Sequence, residues 1–183
     1  MTLSSAHLYS GDAATGRVEL SCAPSFRSVR VTLDVEPDGA LTVPEELTVP
    51  RGQTTAEFIA VARPAADRTA VTLRAARAGG SASTSVTVDP GLRIFSAEPW
   101  QVGGRSVGVT FHLTGTAPPE GLAIAMRSDN PAVRVPSVIE FPAGATGLTT
   151  TVPSDEVPAD TPVTLTATLG QTSLSSTVTL APR

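Results

Sequence analysis

Apolar and polar residues alternate along most of this chain, as they do in strands that bury one face. Residues 29–33 and 122–126 are two such runs. No segment carries the 3.6-residue period of an amphipathic helix, so the pattern predicts an all-β protein. Turn residues separate the runs, as at Pro37-Asp38-Gly39 and Asp129-Asn130-Pro131.

The alternation predicts about seven short strands in each half of the chain. In the first half they are Ala6 to Tyr9, Gly16 to Cys22, Ser28 to Val35, Leu41 to Val49 with a break near Pro44, Thr54 to Ala62, Ala70 to Ala76, and Ser81 to Val88. In the second half they are Gly91 to Ala97, Arg105 to Leu113, Gly121 to Ser128, Val133 to Phe141 with a break near Pro136, Thr146 to Val152, Pro162 to Leu169, and Thr172 to Leu180.

The two halves are also related in sequence. A shift of 92 residues lays Val43 to Val88 onto Val135 to Leu180 without a gap, with 14 identities in 46 positions. The matches keep turn residues in register, since Pro50-x-Gly52-x-Thr54 falls on Pro142-x-Gly144-x-Thr146. A period of about 90 residues is the size of a small β-sandwich and too long for a solenoid repeat.

The repeat therefore predicts two tandem antiparallel sandwiches, one over residues 1–89 and one over residues 90–183. Upstream of the gapless region the halves agree less closely. Alternation there matches residues 18–22 with residues 109–113, which places Cys22 on the inward face of the second strand. Because Cys22 is the only cysteine, no internal disulfide is possible, and its expected role is that of a small core residue.

The second half carries a recognisable series of turn and core residues. It runs from Ser128-Asp129-Asn130-Pro131-Ala132-Val133 through Val135-Pro136 and Phe141-Pro142-Ala143-Gly144, and continues in Asp160-Thr161-Pro162-Val163-Thr164-Leu165-Thr166-Ala167. This series resembles the tandem immunoglobulin-like (Ig-like) repeats of bacterial surface and secreted proteins, and the first half resembles a divergent copy. The resemblance implies a non-enzymatic spacer, adhesion or interaction module at the cell surface or outside the cell. It implies no site residues, because the shared positions belong to turns and core.

The amino-acid composition and charge exclude some classes of function. The 183 residues include 25 Thr, 20 Val and 16 Pro but no Lys, which suits strands and turns. A net charge of -4 leaves no basic surface of the kind that binds nucleic acid. No window approaches the apolar length of a membrane span, so no membrane insertion is expected, and residues 1–10 lack the features of a signal peptide.

Residues that could support catalysis are few. Nucleophilic catalysis needs a base within reach of the nucleophile, usually His or Lys, and the chain offers only His7, near the terminus, and His112, expected to point outward. Zinc ligands are not present at the required spacing. The acids do not form a calcium loop, and Asp89 and Glu98 are isolated in sequence. We expect no catalytic residue, no cofactor and no metal.

Two features are candidates for recognition. Trp100, the only tryptophan, follows the first strand of the second half. It is expected either to pack, against the domain junction or at an open end of the sandwich, or to be an exposed binding aromatic. Arg74 and Arg77 precede the Gly79-Gly80 hairpin, with further arginines in the loop before them, and this cluster is either a solvated surface or a binding surface.

The leading hypothesis is a non-catalytic structural spacer, adhesion or protein-interaction module of a bacterial surface or secreted assembly. Its partner would be a protein or a cell-surface glycan, and edge strands would permit self-assembly, limited by the breaks at Pro44, Pro50, Pro136 and Pro142. The alternative is a decoration or tail component of a phage-like particle or injection apparatus. Such a component would lie in a virion or a cytoplasmic assembly, and a start at Met1 without a signal favours it.

Overall fold

The computed structural model describes every residue from Met1 to Arg183. It contains 17 strands, and it has no helix that could cross a membrane. The predicted all-β class is confirmed. Tertiary contacts divide the chain into two compact units, unit 1 at Met1–Asp89 and unit 2 at Pro90–Arg183.

Unit 1 has nine strands in two sheets. The strands are β1 (Thr2–Leu3), β2 (His7–Tyr9), β3 (Ala13–Glu19), β4 (Val29–Glu36), β5 (Leu41–Thr42), β6 (Glu46–Val49), β7 (Thr55–Ala62), β8 (Thr69–Arg77) and β9 (Gly80–Asp89). One sheet has the order β1-β3-β7-β5 and the other the order β2-β9-β8-β4-β6.

Unit 2 has eight strands, also in two sheets. The strands are β10 (Leu92–Ala97), β11 (Trp100–Val102), β12 (Val107–Leu113), β13 (Leu122–Ser128), β14 (Val138–Phe141), β15 (Gly147–Val152), β16 (Thr161–Leu169) and β17 (Thr172–Ala181). The sheet orders are β10-β12-β15 and β11-β17-β16-β13-β14.

These orders are those of an Ig-like sandwich, in which the first, second and fifth strands of the fold lie in one sheet and the third, sixth and seventh in the other. The short strands β2 and β11 each pair in parallel with the last strand of their unit, β9 and β17. Every other strand pair is antiparallel. The chain is therefore a tandem of two Ig-like sandwiches.

The structure corrects the register that alternation suggested near Cys22. The Leu20 amide donates to the Thr54 carbonyl at 2.7 Å, and the Leu113 amide donates to the Thr146 carbonyl at 3.0 Å. Leu20 therefore corresponds to Leu113, and the match predicted for residues 18–22 is wrong by two residues. Strand β3 ends at Glu19, and Cys22 lies beyond it and is exposed.

The reason for this error is the composition of β3. Its inward positions begin with the small residues Ala14 and Gly16, which carry little hydrophobic signal. The alternation becomes visible only at Val18, so the strand seems to begin and end later than it does. Cys22 is thus an exposed thiol in a loop, and its predicted place in the core is wrong.

Both cores are mainly aliphatic. Val71 and Leu165 are each 0% exposed, as the alternation of apolar and polar residues in the two predicted strands that contain them requires. In unit 2 the core also holds an aromatic pair, Phe95 on β10 and Phe111 on β12, with ring centroids 5.1 Å apart. Unit 1 has no aromatic residue at the corresponding positions, where Met1 and Val18 lie.

Candidate interaction site

Trp100 is the first residue of β11, where it pairs with Thr179 of β17. Its side chain is 56% exposed. The corresponding residue of unit 1 is His7, which pairs with Thr87 of β9. Within its own unit, then, Trp100 presents more than half of its surface to solvent, as a binding aromatic would.

Arg74 and Arg77 do not form one patch. Both lie on β8, but alternate residues of a strand face opposite sides of the sheet. Arg74 is on the outward face, where its Nη2 donates to Ser81 Oγ at 3.4 Å. Arg77 is at the end of the strand on the other side, and it lines a cavity. Whether either arginine binds a partner remains a prediction.

A third arginine of the predicted cluster has a different environment. Arg68 Nε and Nη2 donate to the two carboxylate oxygens of Asp89, both at 2.7 Å. His7 Nε2 also lies 2.7 Å from Asp89 Oδ2. The Asp89 side chain is 1% exposed, whereas those of Arg68 and His7 are 39% and 43% exposed. Asp89 is isolated only in sequence: in the fold it is the centre of a charged cluster.

Burial alone would raise the pKa of Asp89, because it disfavours the charged carboxylate. The hydrogen bonds from Arg68 and His7, together with the positive charge of Arg68, outweigh that effect and hold the pKa below its ordinary value of 3.8. The carboxylate is thus ionised at neutral pH and fully engaged within unit 1. It acts as a structural anchor for β2, β9 and the loop before β8.

The sequence does hold a signal for this cluster. Under the 92-residue shift, Asp89 corresponds to Ala181 and Arg68 corresponds to Asp160. Unit 1 therefore has an acid where unit 2 has an alanine, and a base where unit 2 has an acid. Arg68 directly precedes β8 and Asp89 is the last residue of β9, and these two strands are paired. A compensating change of charge of this kind in a repeat indicates an ion pair.

Arg77 lines a cavity on one side of unit 1, which has a volume of about 230 Å³. It is bounded by the end of β3 and the start of β9, with Val31 and Ala75 behind it. Its lining consists of Val18, Glu19, Leu20, Ser21, Val31, Ala75, Ala76, Arg77, Gly79, Gly80, Ser81 and Ala82. Four of these are buried core residues, so the cavity borders the hydrophobic core of unit 1.

The remaining ionisable residues are dispersed. No group of three or more His, Cys, Asp or Glu residues could hold a metal ion. His112 is exposed on β12, close to Gly147 of the adjacent strand. Every buried polar side-chain atom has a hydrogen-bond partner, so no unsatisfied buried group is directed at a ligand.

No protein-family model matches the chain. No curated protein is similar to it in sequence. Solved structures with a similar fold include an I-band fragment of titin, at 18% identity and a TM-score of 0.40, with 99% of this chain and 65% of the fragment covered. Domains 4 and 5 of the S-layer protein SbsC match at 14% identity and a TM-score of 0.36, with 82% of this chain and 76% of that one covered.

The BSP domain of a biofilm associated protein matches at 15% identity and a TM-score of 0.32, over 98% of this chain and 29% of that one. The chain thus spans about two thirds of the titin fragment and less than one third of the biofilm protein. The strand order within each unit, and not these distant likenesses, defines the fold.

Proposed function

We propose that the chain is a non-catalytic structural or protein-interaction module that serves as a spacer or adhesion element in a bacterial surface or secreted assembly. The observation that carries the proposal is a contrast between the interior and the edges of the fold. The buried polar side-chain atoms are all hydrogen-bonded within the chain, whereas several sheet edges are open to further pairing.

The interior favours a structural role over a catalytic one. A general base needs a lone pair that is accessible to a substrate proton. The carboxyl with a shifted pKa is Asp89, and its oxygens already accept from Arg68 and lie against His7. A carboxylate so enclosed stabilises the fold and is not available as a base.

The open edges favour interaction with other polypeptides. Strand β7 is covered on its outer edge only at Ala62 and Val61, by the two residues of β5. Strand β15 is the outer strand of its sheet, and beyond its end there is a single bridge between Val133 and Ser154. An uncovered edge offers a row of backbone donors and acceptors, which is the usual basis of strand addition.

The setting on a bacterial surface or in a secreted assembly rests on the turn and core residues of unit 2 that resemble such repeats. The partner we propose is a protein or a cell-surface glycan, contacted in part by the exposed Trp100, since aromatic side chains are enriched at binding sites. A spacer role agrees with a chain that repeats one sandwich twice.

The location can be tested in the organism that encodes the chain. Antibodies against the folded chain would be applied to intact cells, to cells treated with an external protease, to the culture medium and to sedimented particles. We expect the antigen on intact cells or in the medium, and on cells it should be lost after protease treatment. Antigen confined to the cytosol would contradict the proposal, and antigen that sediments with particles would favour the phage-like alternative instead.

A further inference from the structure

Trp100 lies at one edge of a row of side chains on the outward face of unit 2. Residues that are directly paired in neighbouring strands carry their side chains on the same face of the sheet. Trp100 pairs with Thr179 of β17, and Thr179 pairs with Pro162 of β16. The three side chains therefore form a row across three strands, and Trp100, at its edge, is 56% exposed.

Hydroxyl side chains cover the part of the face next to this row. The outward positions of β16 and β17 pair as Thr164 with Thr177, Thr166 with Ser175, and Thr168 with Ser173. The hydroxyls of the second pair lie 2.9 Å apart and those of the third pair 2.8 Å apart. Because each hydroxyl has one hydrogen and two acceptor lone pairs, such a pair uses only one of its two hydrogens. The other hydrogen and the remaining lone pairs can bond to a ligand.

Two charged residues on β13 follow these hydroxyls. Arg127 pairs with Thr166, and Asp129 Oδ1 accepts from the Thr164 amide at 2.8 Å. Together with Ser128 they line an open cavity of about 370 Å³. This surface, from Trp100 on β11 to Arg127 and Asp129 on β13, is the hydroxyl face of unit 2.

The corresponding face of unit 1 is different, so the fold itself does not require the residues of the hydroxyl face. His7 takes the place of Trp100 in the short parallel strand. Arg74 takes the place of Thr166 under the 92-residue shift, and it lies directly opposite Asp34. Unit 1 thus has charges where unit 2 has hydroxyls, and it has no tryptophan.

We propose that the hydroxyl face binds a neutral glycan. Trp100 stacks on one sugar ring, whose C–H groups are attracted by the negative face of the indole. The hydroxyls of Thr164 and Thr166 exchange hydrogen bonds with sugar hydroxyls, and Arg127 and Asp129 donate to and accept from a further ring. The distance from β11 to β13 is three inter-strand spacings, roughly 14 Å, so the ligand is an oligosaccharide and not a single sugar. The inference rests on the proposed function and deepens it by choosing between its two classes of partner.

The chemistry of the hydroxyl face favours a glycan over a protein. The centre of a protein interface is formed by apolar side chains, whereas the centre of this face is formed by the hydroxyls of Thr and Ser. A sugar hydroxyl both donates and accepts hydrogen bonds, as these hydroxyls do. Charge favours a neutral glycan, because β16 and β17 contain no charged residue and the charges of Arg127 and Asp129 cancel.

Binding of the full chain to immobilised oligosaccharides tests the inference. The probes are neutral oligomers of glucose, mannose, galactose and N-acetylglucosamine, with oligogalacturonate as the charged comparison. We expect saturable binding to at least one neutral oligomer and none to oligogalacturonate. In solution the same neutral oligomer should change the emission of Trp100, the only tryptophan. Absence of binding to every neutral oligomer, or a preference for the charged one, would overturn the proposal.

Variants of the full chain locate the bound oligosaccharide. Trp100→Ala should weaken binding roughly tenfold or more, whereas Phe26→Ala, which removes a ring that is 91% exposed in unit 1, should leave it unchanged. Thr166→Val removes one hydroxyl of the face and should weaken binding several-fold. Its matched control is Thr149→Val, on the outward face of β15. Melting temperatures, measured for each variant, separate loss of binding from loss of folding, and undiminished binding to a folded Trp100→Ala variant would overturn the inference.

A protein bound at the hydroxyl face is the other outcome. Envelope fragments of the organism that encodes the chain would be treated with protease or with periodate, which cleaves the vicinal diols of sugars, and then mixed with the chain. We expect binding to survive protease and to be lost after periodate. The reverse result would assign the face to a protein and overturn the inference, but it would leave the proposed function intact. Antigen confined to the cytosol would contradict the proposed function and leave oligosaccharide binding unaffected.

Discussion

The phenyl ring of Phe58 lies over Gly16, its partner across the pair formed by β3 and β7. A Cβ atom at residue 16 would overlap with Phe58 Cζ. Phe58 is 5% exposed, so its ring occupies the space that a side chain at residue 16 would need. Unit 2 uses Val109 and Thr150 at the two positions. In unit 1 this part of the core is filled by a side chain of β7, whereas in unit 2 it is filled by a side chain of β12.

This packing makes Gly16→Ala a destabilising change. The added methyl group overpacks the core and forces Phe58 from its place, at a cost of about 1 to 3 kcal/mol in the free energy of unfolding of unit 1. Urea denaturation of the full chain would measure it. The control is Gly80→Ala, where an added Cβ meets nothing within 4 Å. Equal stability of the two variants would show that the ring is not held over Gly16.

How much of this fold the sequence reveals depends on the size of the side chains. Alternation of Val, Ile and Leu predicts the long strands well, since it marks residues that must leave water. It fails for β3, whose inward face begins with Ala14 and Gly16, and there the hydrophobic volume is supplied by Phe58 from the neighbouring strand. The two-residue β1 and the short β11 have too few residues for any period to show.

The candidate site is less predictable than the fold because it depends on tertiary contacts. Arg68 and Asp89 are 21 residues apart in sequence, and only the pairing of β8 with β9 brings them together. Arg74 and Arg77 seem to be one cluster in sequence, yet the strand places them on opposite sides.

Among substitutions of the partly exposed arginines, Arg68→Ala should lower the free energy of unfolding the most. In Arg68→Ala the buried carboxylate of Asp89 keeps only His7, and breaking a buried pair from one side typically costs about 3 kcal/mol or more. Arg74→Ala is the matched control, since Arg74 is exposed and its hydrogen bond to Ser81 Oγ is long, at 3.4 Å. Its loss should stay within about 0.5 kcal/mol. Urea melts that rank the two variants equally would contradict the structural role of the cluster.

The same cluster predicts the pH dependence of stability. The folded pKa of Asp89 lies below its ordinary value of 3.8, so its ionised form stabilises the folded state. That contribution is fully present above the unfolded pKa and is lost as pH falls through the folded pKa. The free energy of unfolding of Asp89→Asn should therefore be lower than that of the unchanged chain at neutral pH, and the difference should shrink below pH 3.8. A difference independent of pH would show that the charge of Asp89 does not matter.

Each core can be tested separately by truncation of one fully buried residue. Val71 and Leu165 are both 0% exposed, and their replacement by alanine leaves cavities that cost about 2 to 4 kcal/mol. Val71→Ala should affect the unfolding of unit 1, and Leu165→Ala that of unit 2. The control for Val71 is Thr72→Ala, on the outward face of the same strand. Calorimetry in which Leu165→Ala shifts no transition would contradict the assigned register of β16.

Trp100 allows a direct optical test, because it is the only tryptophan in the chain. Its side chain is 56% exposed, so in the folded chain its emission should resemble that of tryptophan in water and be readily quenched by acrylamide. Trp100→Ala should also lower the free energy of unfolding of unit 2 much less than Phe95→Ala does. Phe95→Ala removes a buried ring that packs on Phe111, and it should lower that free energy by about 3 to 5 kcal/mol. Strongly protected emission from the folded chain would mean that Trp100 is packed, and it would remove the aromatic from the proposed interaction surface.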